Sequence, residues 1–409
     1  MTASEAHQKD VVRPASEAGF VASLTGLRGF AAIAVVLVHI SFWTDYKWVG
    51  IHGFGPIALF VLAGYLLFRP YGAWILGAAA QPSTRAYAVR RLMRTFPAYL
   101  VAMLVWIVIY PPAVPVDARA WFHTLTMTGV FEVLSIPKGM EQVWSLGTEL
   151  SWYVALPVLA VALHSCLRGK SPAVRLWVTG AVLLATVPAT TAFIAWCYEV
   201  GKTQEKLWLP GYLMCFTMGA FVALLVEARA AGLARLEGVE RLASSRIVLP
   251  VLCLAALAVV MSPLSGPLDL SPRTATEDIV RILSCTALAA LLVLGAVFTR
   301  DGRGVSAPLR WRWLEATGRW SYGIYLWHLP VIIMLESEAD LPDGVAGLLV
   351  RFAVVIPIAW ALGATSYVWV ELPAQEYGRR LSRTRGQAQR EEGAGDREAG
   401  SHAAGRGAR

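Results

Sequence analysis

The sequence contains ten long apolar runs, most of them near the length that crosses the hydrocarbon core of a bilayer, about 17 to 25 residues. Backbone polar groups in hydrocarbon must be paired within their own segment, so each run is predicted to be a transmembrane helix. Hydrophobic residues make up 56% of the chain and charged residues only 16%, which excludes an ordinary soluble globular enzyme. The chain is therefore predicted to be an all-α, polytopic membrane protein with about ten transmembrane helices. The runs lie near 24–43, 50–68, 95–110, 144–164, 176–198, 208–226, 247–264, 279–298, 320–335 and 345–370.

Lysine and arginine are unevenly distributed among the segments that connect these runs. Of the 36 basic residues, 27 lie in the two tails and in alternate connecting segments, 6 lie in the intervening segments, and 3 lie within runs. Because cytoplasmic segments are enriched in Lys and Arg, this alternation places both termini in the cytoplasm and the protein in the cytoplasmic membrane. The net charge of +8 is then a signal of topology, and no nucleic-acid partner is expected.

Composition divides the chain into three regions. Residues 1–21 are predicted to be a cytoplasmic tail and residues 22–375 the transmembrane domain. Residues 376–409 are rich in Arg, Glu, Gly and Ala, cannot bury enough apolar surface to fold, and are predicted to be a disordered cytoplasmic tail. The segment 118–134 is only moderately apolar and is predicted to be a re-entrant or interfacial helix.

The first run carries two ionisable residues, Arg28 and His39, which are costly inside a membrane and mark a candidate functional site. They are eleven residues apart, so on a helix they share one face and are separated along the axis by about 16 Å. The alternatives are that Arg28 extends to lipid headgroups and that His39 is a packing residue with satisfied hydrogen bonds.

Two further segments place ionisable residues near membrane level. Arg91 and Arg94 are spaced to share a helical face, which favours either ordinary cytoplasmic flanking or a pair of guanidinium groups that bind a phosphate-like anion. Glu149 is predicted to lie at the same depth as His39, so a contact between the two is possible. The alternative for Glu149 is an interfacial carboxylate. The five cysteines form no CxxC pair, and no metal site is expected.

Six motifs occur in order along the chain, and together they resemble the membrane acyltransferase-3 family over roughly residues 22–375. They are Arg28 followed after ten residues by His39, Phe60-Val-Leu-Ala-Gly-Tyr65, Arg91-x-x-Arg94 with Pro97, Trp144-Ser-Leu-x-x-Glu149, Ser321-Tyr322-Gly-Ile-Tyr325-Leu-Trp-His328-x-Pro330, and Glu371-x-Pro373. The chain departs from the family where a second carboxylate usually follows, since Leu150 stands after Glu149. A fused extracytoplasmic hydrolase-like domain is not expected.

The resemblance implies transfer of an acyl group, usually acetyl, from cytoplasmic acyl-CoA to a hydroxyl of a carbohydrate or related acceptor, without a metal. It implies that His39 is the base or carries the acyl group, and Glu149 is predicted to be a second catalytic residue. Residues expected to bind the acyl donor are Arg28, Arg91, Arg94, Ser321 and Tyr322. Residues expected to bind the acceptor are Trp144, Tyr325 and His328.

Three functions remain open from the sequence. The first is O-acylation of a cell-envelope carbohydrate or glycolipid, and the second is the same chemistry on a glycosylated natural product such as a macrolide. The third is a proton-coupled transporter that uses His39 and Glu149 as a proton relay. An enzyme would release CoA in detergent without any gradient, whereas a transporter would not depend on CoA. The Arg residues and the six motifs favour the enzyme.

Overall fold

The computed structural model describes residues 22–132, 135–299 and 304–382, and these residues form helices and irregular segments without a β-strand. The predicted all-α fold is therefore confirmed. The N-terminal tail 1–21 and residues 383–409 lie outside the described residues. The α-helices are α1 (Ala22–Ser41), α2 (Phe54–Ile75), α3 (Thr84–Ile109), α4 (Ala118–Thr126), α5 (Trp144–Cys166), α6 (Pro172–Glu199), α7 (Leu209–Ala230), α8 (Glu237–Ser244), α9 (Val248–Val260), α10 (Ala275–Phe298), α11 (Ser306–Leu309), α12 (Arg312–Glu338), α13 (Gly344–Ser366) and α14 (Leu372–Ser382).

Each of the ten predicted runs coincides with one of these helices. Within the described residues, eight helices are long and apolar enough to cross a membrane, and α8 with α9, bent by 72°, would make a ninth. The helix α12 corresponds to the ninth predicted run, and its 27 residues would extend about 40 Å. Its polar and charged side chains keep α12 out of that set. A polytopic fold is thus confirmed with eight or nine spans by length and composition, rather than about ten.

Helices α1 and α12 run parallel to each other in close contact, and glycine makes this possible. A Cβ atom on Gly318 would lie 1.8 Å from the backbone oxygen of Thr25, and one on Gly29 would lie 2.3 Å from that of Leu314. Small residues at such positions let two backbones approach closely within a membrane. His39 and His328 each follow ten residues after one of these glycines, so the same packing brings the two imidazole rings together.

The C-terminal boundary of the membrane domain differs from the prediction. A π-helical segment, Tyr367–Glu371, follows α13 and leads directly into α14, which continues to Ser382. Residues 376–382 were predicted to be disordered, and this part of the prediction is wrong. Gly378 packs against Met93 of α3, and Glu376 pairs with Arg379 and Arg380 at helical spacing. The composition of this segment is polar, but its pattern is that of a helix with one buried face.

The segment 118–134, predicted to be a re-entrant or interfacial helix, contains the short helix α4. Asp117 caps α4 by accepting a hydrogen bond from the backbone N–H of Ala120 at 2.7 Å. The side chain of Phe122 on α4 is 59% exposed, and Thr124 is buried. The structure therefore shows a nine-residue helix with exposed apolar side chains, Phe122 and Leu125 among them, that is too short to cross a bilayer.

Candidate active site

Helices α1, α2, α3, α5 and α12 surround a cavity of about 370 Å³ whose walls carry most of the residues predicted from the sequence. The predicted residues that line it are Arg28, Arg91, Arg94, Glu149, Ser321, Tyr322 and Tyr325. Together with Phe60, Leu62 and Ala63, they bring residues of five of the six motifs to one place. Trp144, His39 and His328 are not part of this lining.

Three guanidinium groups line the cavity without a counterion in contact. Among the described residues, Arg28, Arg91 and Arg94 form no hydrogen bond and no ion pair within 4.0 Å, and the Nε atom of Arg91 is buried without a partner. The carboxylates of Glu149 and Glu371 attract the guanidinium group of Arg28 electrostatically, but neither forms an ion pair with it. Partly buried cations that lack direct partners form a site suited to a polyanion, because one guanidinium group can donate two parallel hydrogen bonds to the oxygens of a phosphate.

Glu149 belongs to the wall of this cavity and not to the surroundings of His39. Its Oε1 atom accepts a hydrogen bond from the hydroxyl of Tyr153, one turn later on α5, at 2.7 Å. The described residues show no contact between Glu149 and His39. The contact that their matched depths made possible is not formed there, because depth does not fix the direction in which a side chain leaves its helix.

Tyrosines from α12 fix the cavity wall to α3 and to the start of α5. The hydroxyl of Tyr322 donates to the backbone oxygen of Thr95 at 2.7 Å. The hydroxyl of Tyr325 donates to the backbone oxygen of Gln142 and lies 3.0 Å from Ser145 Oγ, which must then be the donor to Tyr325. These bonds hold both rings in place, so Tyr322 and Tyr325 shape the cavity instead of moving freely within it.

Pro330 explains why Gln142 lies against α12. Proline has no N–H and cannot bond the carbonyl four residues earlier, which is that of Leu326. The side-chain amide of Gln142 donates to this oxygen at 3.2 Å and to the backbone oxygen of Tyr325 at 3.3 Å. A buried carbonyl that the helix leaves open is thus satisfied by a side chain from outside the helix.

His39 pairs with His328, which is fully buried. The Nδ1 atom of His328 lies 2.8 Å from the backbone oxygen of Tyr325, so this nitrogen carries the proton and Nε2 is an acceptor. His39 Nδ1 lies 2.8 Å from the backbone oxygen of Val35 and 3.2 Å from His328 Nε2, so it also carries the proton. The hydrogen bonds therefore assign a free lone pair to Nε2 of His39.

The remaining predicted residues have separate positions. The ring of Trp144 lies behind the cavity, with its centroid 6.2 Å from that of Phe60 and 5.3 Å from that of Tyr212. Ser321 is buried and lines the cavity beside Tyr322. Sequence reasoning missed Gln142, Ser145 and Tyr153 as supporting residues. Tyr153 had a detectable signal, since it follows Glu149 at a spacing that places both on one helical face.

Metal ligands do not gather in the part of the chain that the structure describes. No group of three or more His, Cys, Asp or Glu side chains there could hold a metal ion. The five cysteines are free thiols, and four of them are buried.

Comparison with known proteins identifies the family. The acyltransferase-3 family, described as an acyltransferase domain, matches residues 21–364. YrhL of Bacillus subtilis, a putative peptidoglycan O-acetyltransferase, is 25% identical over 380 residues, which cover 88% of this chain and 55% of that protein. Acyltransferase MdmB of Streptomyces mycarofaciens is 27% identical over 347 residues, which cover 76% of this chain and 78% of that protein. Peptidoglycan O-acetyltransferase OatA of Listeria monocytogenes is 22% identical over 380 residues, which cover 88% of this chain and 56% of OatA.

The chain therefore spans a little over half the length of two of these curated relatives. No solved structure matches it. A polytopic helical fold and this family match define the class as a multi-pass membrane acyltransferase. The chain belongs to the acyltransferase-3 family, as its motifs predicted.

Proposed function

We propose that this protein transfers an acyl group, most simply acetyl, from acyl-CoA to a hydroxyl of a cell-envelope carbohydrate or glycolipid. The observation that carries the proposal is that three arginines without a direct partner among the described residues line one cavity. One of them, Arg28, lies on the same helix as His39. These arginines would hold the phosphates of CoA. The positive-inside pattern of the sequence supports a cavity that faces the cytoplasm, where acyl-CoA is available.

His39 would act as the general base. Its Nε2 atom accepts the proton of the acceptor hydroxyl, whose oxygen attacks the thioester carbonyl carbon. The carbon–sulfur bond then breaks, the acyl group stays on the acceptor oxygen, and the CoA thiolate takes the proton from the imidazolium. The competing route passes through an acyl group on His39 itself, followed by attack of the acceptor on that intermediate.

His328 would position His39 in this reaction. By accepting from Nδ1–H of His39 it keeps Nε2 free, and it stabilises the positive charge that His39 gains when it takes the proton. Gln142 supports the arrangement, because it binds the same carbonyl of Tyr325 to which His328 donates. Glu149, bound to Tyr153 among the arginines, would orient donor-side groups instead of acting as the base.

A glycosylated natural product is the alternative acceptor. The chain matches 78% of the length of MdmB, which is described only as an acyltransferase, against 55% and 56% of the two peptidoglycan O-acetyltransferases, and this favours keeping an acceptor other than peptidoglycan open. The two acceptor classes use the same donor site and the same base, so they differ only in the group that receives the acyl chain.

The test is release of CoA from acetyl-CoA by the purified protein with a cell-envelope glycan fraction or with a glycosylated macrolide. We expect release that depends on the acceptor and is lost in His39→Ala. If CoA is released with the macrolide but not with the glycan fraction, the acceptor is a glycosylated natural product and not a cell-envelope carbohydrate. Release that is unchanged in His39→Ala would remove His39 from the chemistry.

A further inference from the structure

A second group of polar and charged side chains lies at the end of the bundle opposite to Arg28, Arg91 and Arg94. We call it the distal cluster, and it consists of His52, Lys206, Arg273, Asp278 and Arg281. These residues precede or begin α2, α7 and α10, at the end where α1 terminates. Arg28 lies near the opposite end of α1, so the two groups of cations are separated by most of the length of that helix.

The distal cluster contains more positive than negative charge. The carboxylate of Asp278 is fully buried, and it binds Lys206 and also Arg281, whose Nη2 lies 2.5 Å from Oδ1. Tyr198 donates to the same carboxylate at 2.5 Å. One carboxylate therefore serves two cations in direct contact, and Arg273 adds a third cation with no ion pair among the described residues.

Two further carboxylates, Asp269 and Glu277, lie near Arg273 but form no ion pair with it among the described residues. The side chain of Asp269 accepts from the backbone N–H of Ser271 at 2.9 Å, and that of Glu277 accepts from the N–H of Thr274 at 2.7 Å. Arg273 instead donates to the backbone oxygens of Pro267 and Asp269 and to Nδ1 of His52 at 3.1 Å. Burial and the positive charge of Arg281 lower the pKa of Arg273, although the charges of Asp278 and Asp269 act in the opposite direction.

Two guanidinium nitrogens of the cluster have no hydrogen-bond partner. The Nε atoms of Arg273 and Arg281 are both buried and unpaired, and Arg281 as a whole is only 9% exposed. Buried donors in proteins are almost always paired, so an unpaired pair of charged donors requires an explanation. An anion that binds here would satisfy both donors.

The distal cluster is close to the reacting groups. The ring of Phe42 lies between the two histidines, with its centroid 5.7 Å from that of His39 and 5.4 Å from that of His52. A small ligand held by Arg273 and Arg281 would therefore have its other groups within reach of His39.

We propose that the distal cluster binds an anionic group of the acceptor, a carboxylate or a phosphate, and so selects anionic saccharides over neutral acceptors. The part of this statement that concerns the acceptor rests on the proposed function. Anion binding itself can be measured without transfer, so the two fail separately.

The experiment measures the thermal unfolding temperature of the full-length protein in detergent with acetyl-CoA present to occupy the donor cavity. Glucuronate and glucose phosphate are titrated, and glucose is the neutral control. We expect the anionic sugars to raise the unfolding temperature in a saturable manner and glucose to have no effect. Arg273→Gln should weaken the response by about tenfold, the value of one hydrogen bond to a charged group.

Three further variants separate this site from other cations. Asp278→Asn should strengthen anion binding, because it removes the competing carboxylate, whereas a merely structural ion pair would lose stability without any gain in affinity. Lys202→Gln removes a cation from the same end that already pairs with Glu205 at 3.7 Å, and it should bind as wild type does. Arg91→Ala with Arg94→Ala should also leave this response unchanged.

Equal effects of glucose and glucuronate would overturn the proposal. So would a wild-type response in Arg273→Gln, or a response that disappears with the donor-side arginines. If the preference is shown only by glucose phosphate, the anion is a phosphate, and if it is shown only by glucuronate, the anion is a carboxylate.

Discussion

Replacement of His328 tests how the two histidines work together. In the ground state the bond from His39 Nδ1 to His328 Nε2, at 3.2 Å, joins two neutral groups and is supported by the Val35 carbonyl. Once His39 has taken a proton, the same bond becomes charge-assisted and is worth about 1.5 to 3 kcal/mol. Because this stabilisation is larger in the transition state than in the ground state, it lowers the barrier.

A neutral hydrogen bond is worth about 0.5 to 1.5 kcal/mol, so the difference between the two states is about 1 to 1.5 kcal/mol. His328→Ala should therefore reduce kcat by about 5- to 13-fold, at about 1.4 kcal/mol per factor of ten. The KM for acetyl-CoA should stay within about twofold, because His328 is not part of the cavity lining. His328→Gln places an amide oxygen near the position of Nε2, and it should restore most of kcat. The assay is steady-state release of CoA, with thermal unfolding of each variant as the control for folding.

Two results would refute this reasoning. If His328→Ala has a normal kcat, then His39 does not need its partner. If His328→Gln and His328→Ala are equally slow while both remain folded, the role of His328 is packing, since the acceptor atom that Gln supplies would then be irrelevant.

Three further predictions concern the donor cavity and the fold. Arg91→Ala with Arg94→Ala should raise the KM for acetyl-CoA at least about tenfold, with an unchanged KM placing the donor elsewhere. Tyr153→Phe removes the hydrogen-bond donor to Glu149 and should raise the same KM a few fold while kcat is retained; loss of kcat alone would contradict this. Gly318→Ala should lower the unfolding temperature strongly, because its Cβ would meet a backbone oxygen at 1.8 Å, whereas Gly238→Ala, with open space around it, should be neutral or stabilising. Similar melts for the two glycine variants would show that the close approach of α1 and α12 is not required.

Features that depend on position along one helix could be predicted from the sequence. The apolar runs located ten helices, because the length needed to cross hydrocarbon is a property of a single segment. Helical spacing also placed Arg91 and Arg94 together, and both line the cavity. The motif that contains Ser321 and Tyr322 also predicted that these two residues belong to the donor site, and both line the cavity. Helical spacing alone could not have predicted this, because α12 and α3 are far apart in the sequence.

Features that depend on the rotation of one helix against another could not be predicted. Glu149 and His39 have similar predicted depths, yet Glu149 faces the arginines and His39 faces His328. The parallel contact of α1 with α12 places His39 against His328. This contact depends on Gly29 and Gly318, and a glycine in a sequence does not by itself indicate which helix it packs against. The distal cluster was missed for a related reason, since its residues come from separate segments that only the fold brings together.

The composition of the C-terminal segment was misleading in one respect. Its charged residues indicate a solvated tail, but the seven residues 376–382, three of which are charged, continue a helix that packs on α3. A small number of buried contacts is enough to extend a helix that a preceding span has already nucleated, because nucleation is the costly step.

The central claim is that the protein transfers an acyl group from acyl-CoA to an acceptor hydroxyl, with His39 as the general base. The most direct measurement follows radiolabelled acetyl from acetyl-CoA into a cell-envelope glycan fraction, with the full-length protein in lipid nanodiscs and no ion gradient. We predict that label enters the glycan with wild type, that an equal amount of CoA is released, and that neither occurs with folded His39→Ala. Transfer by His39→Ala at the wild-type rate, or no CoA release by folded wild type with any acyl-CoA and either acceptor class, would contradict the account.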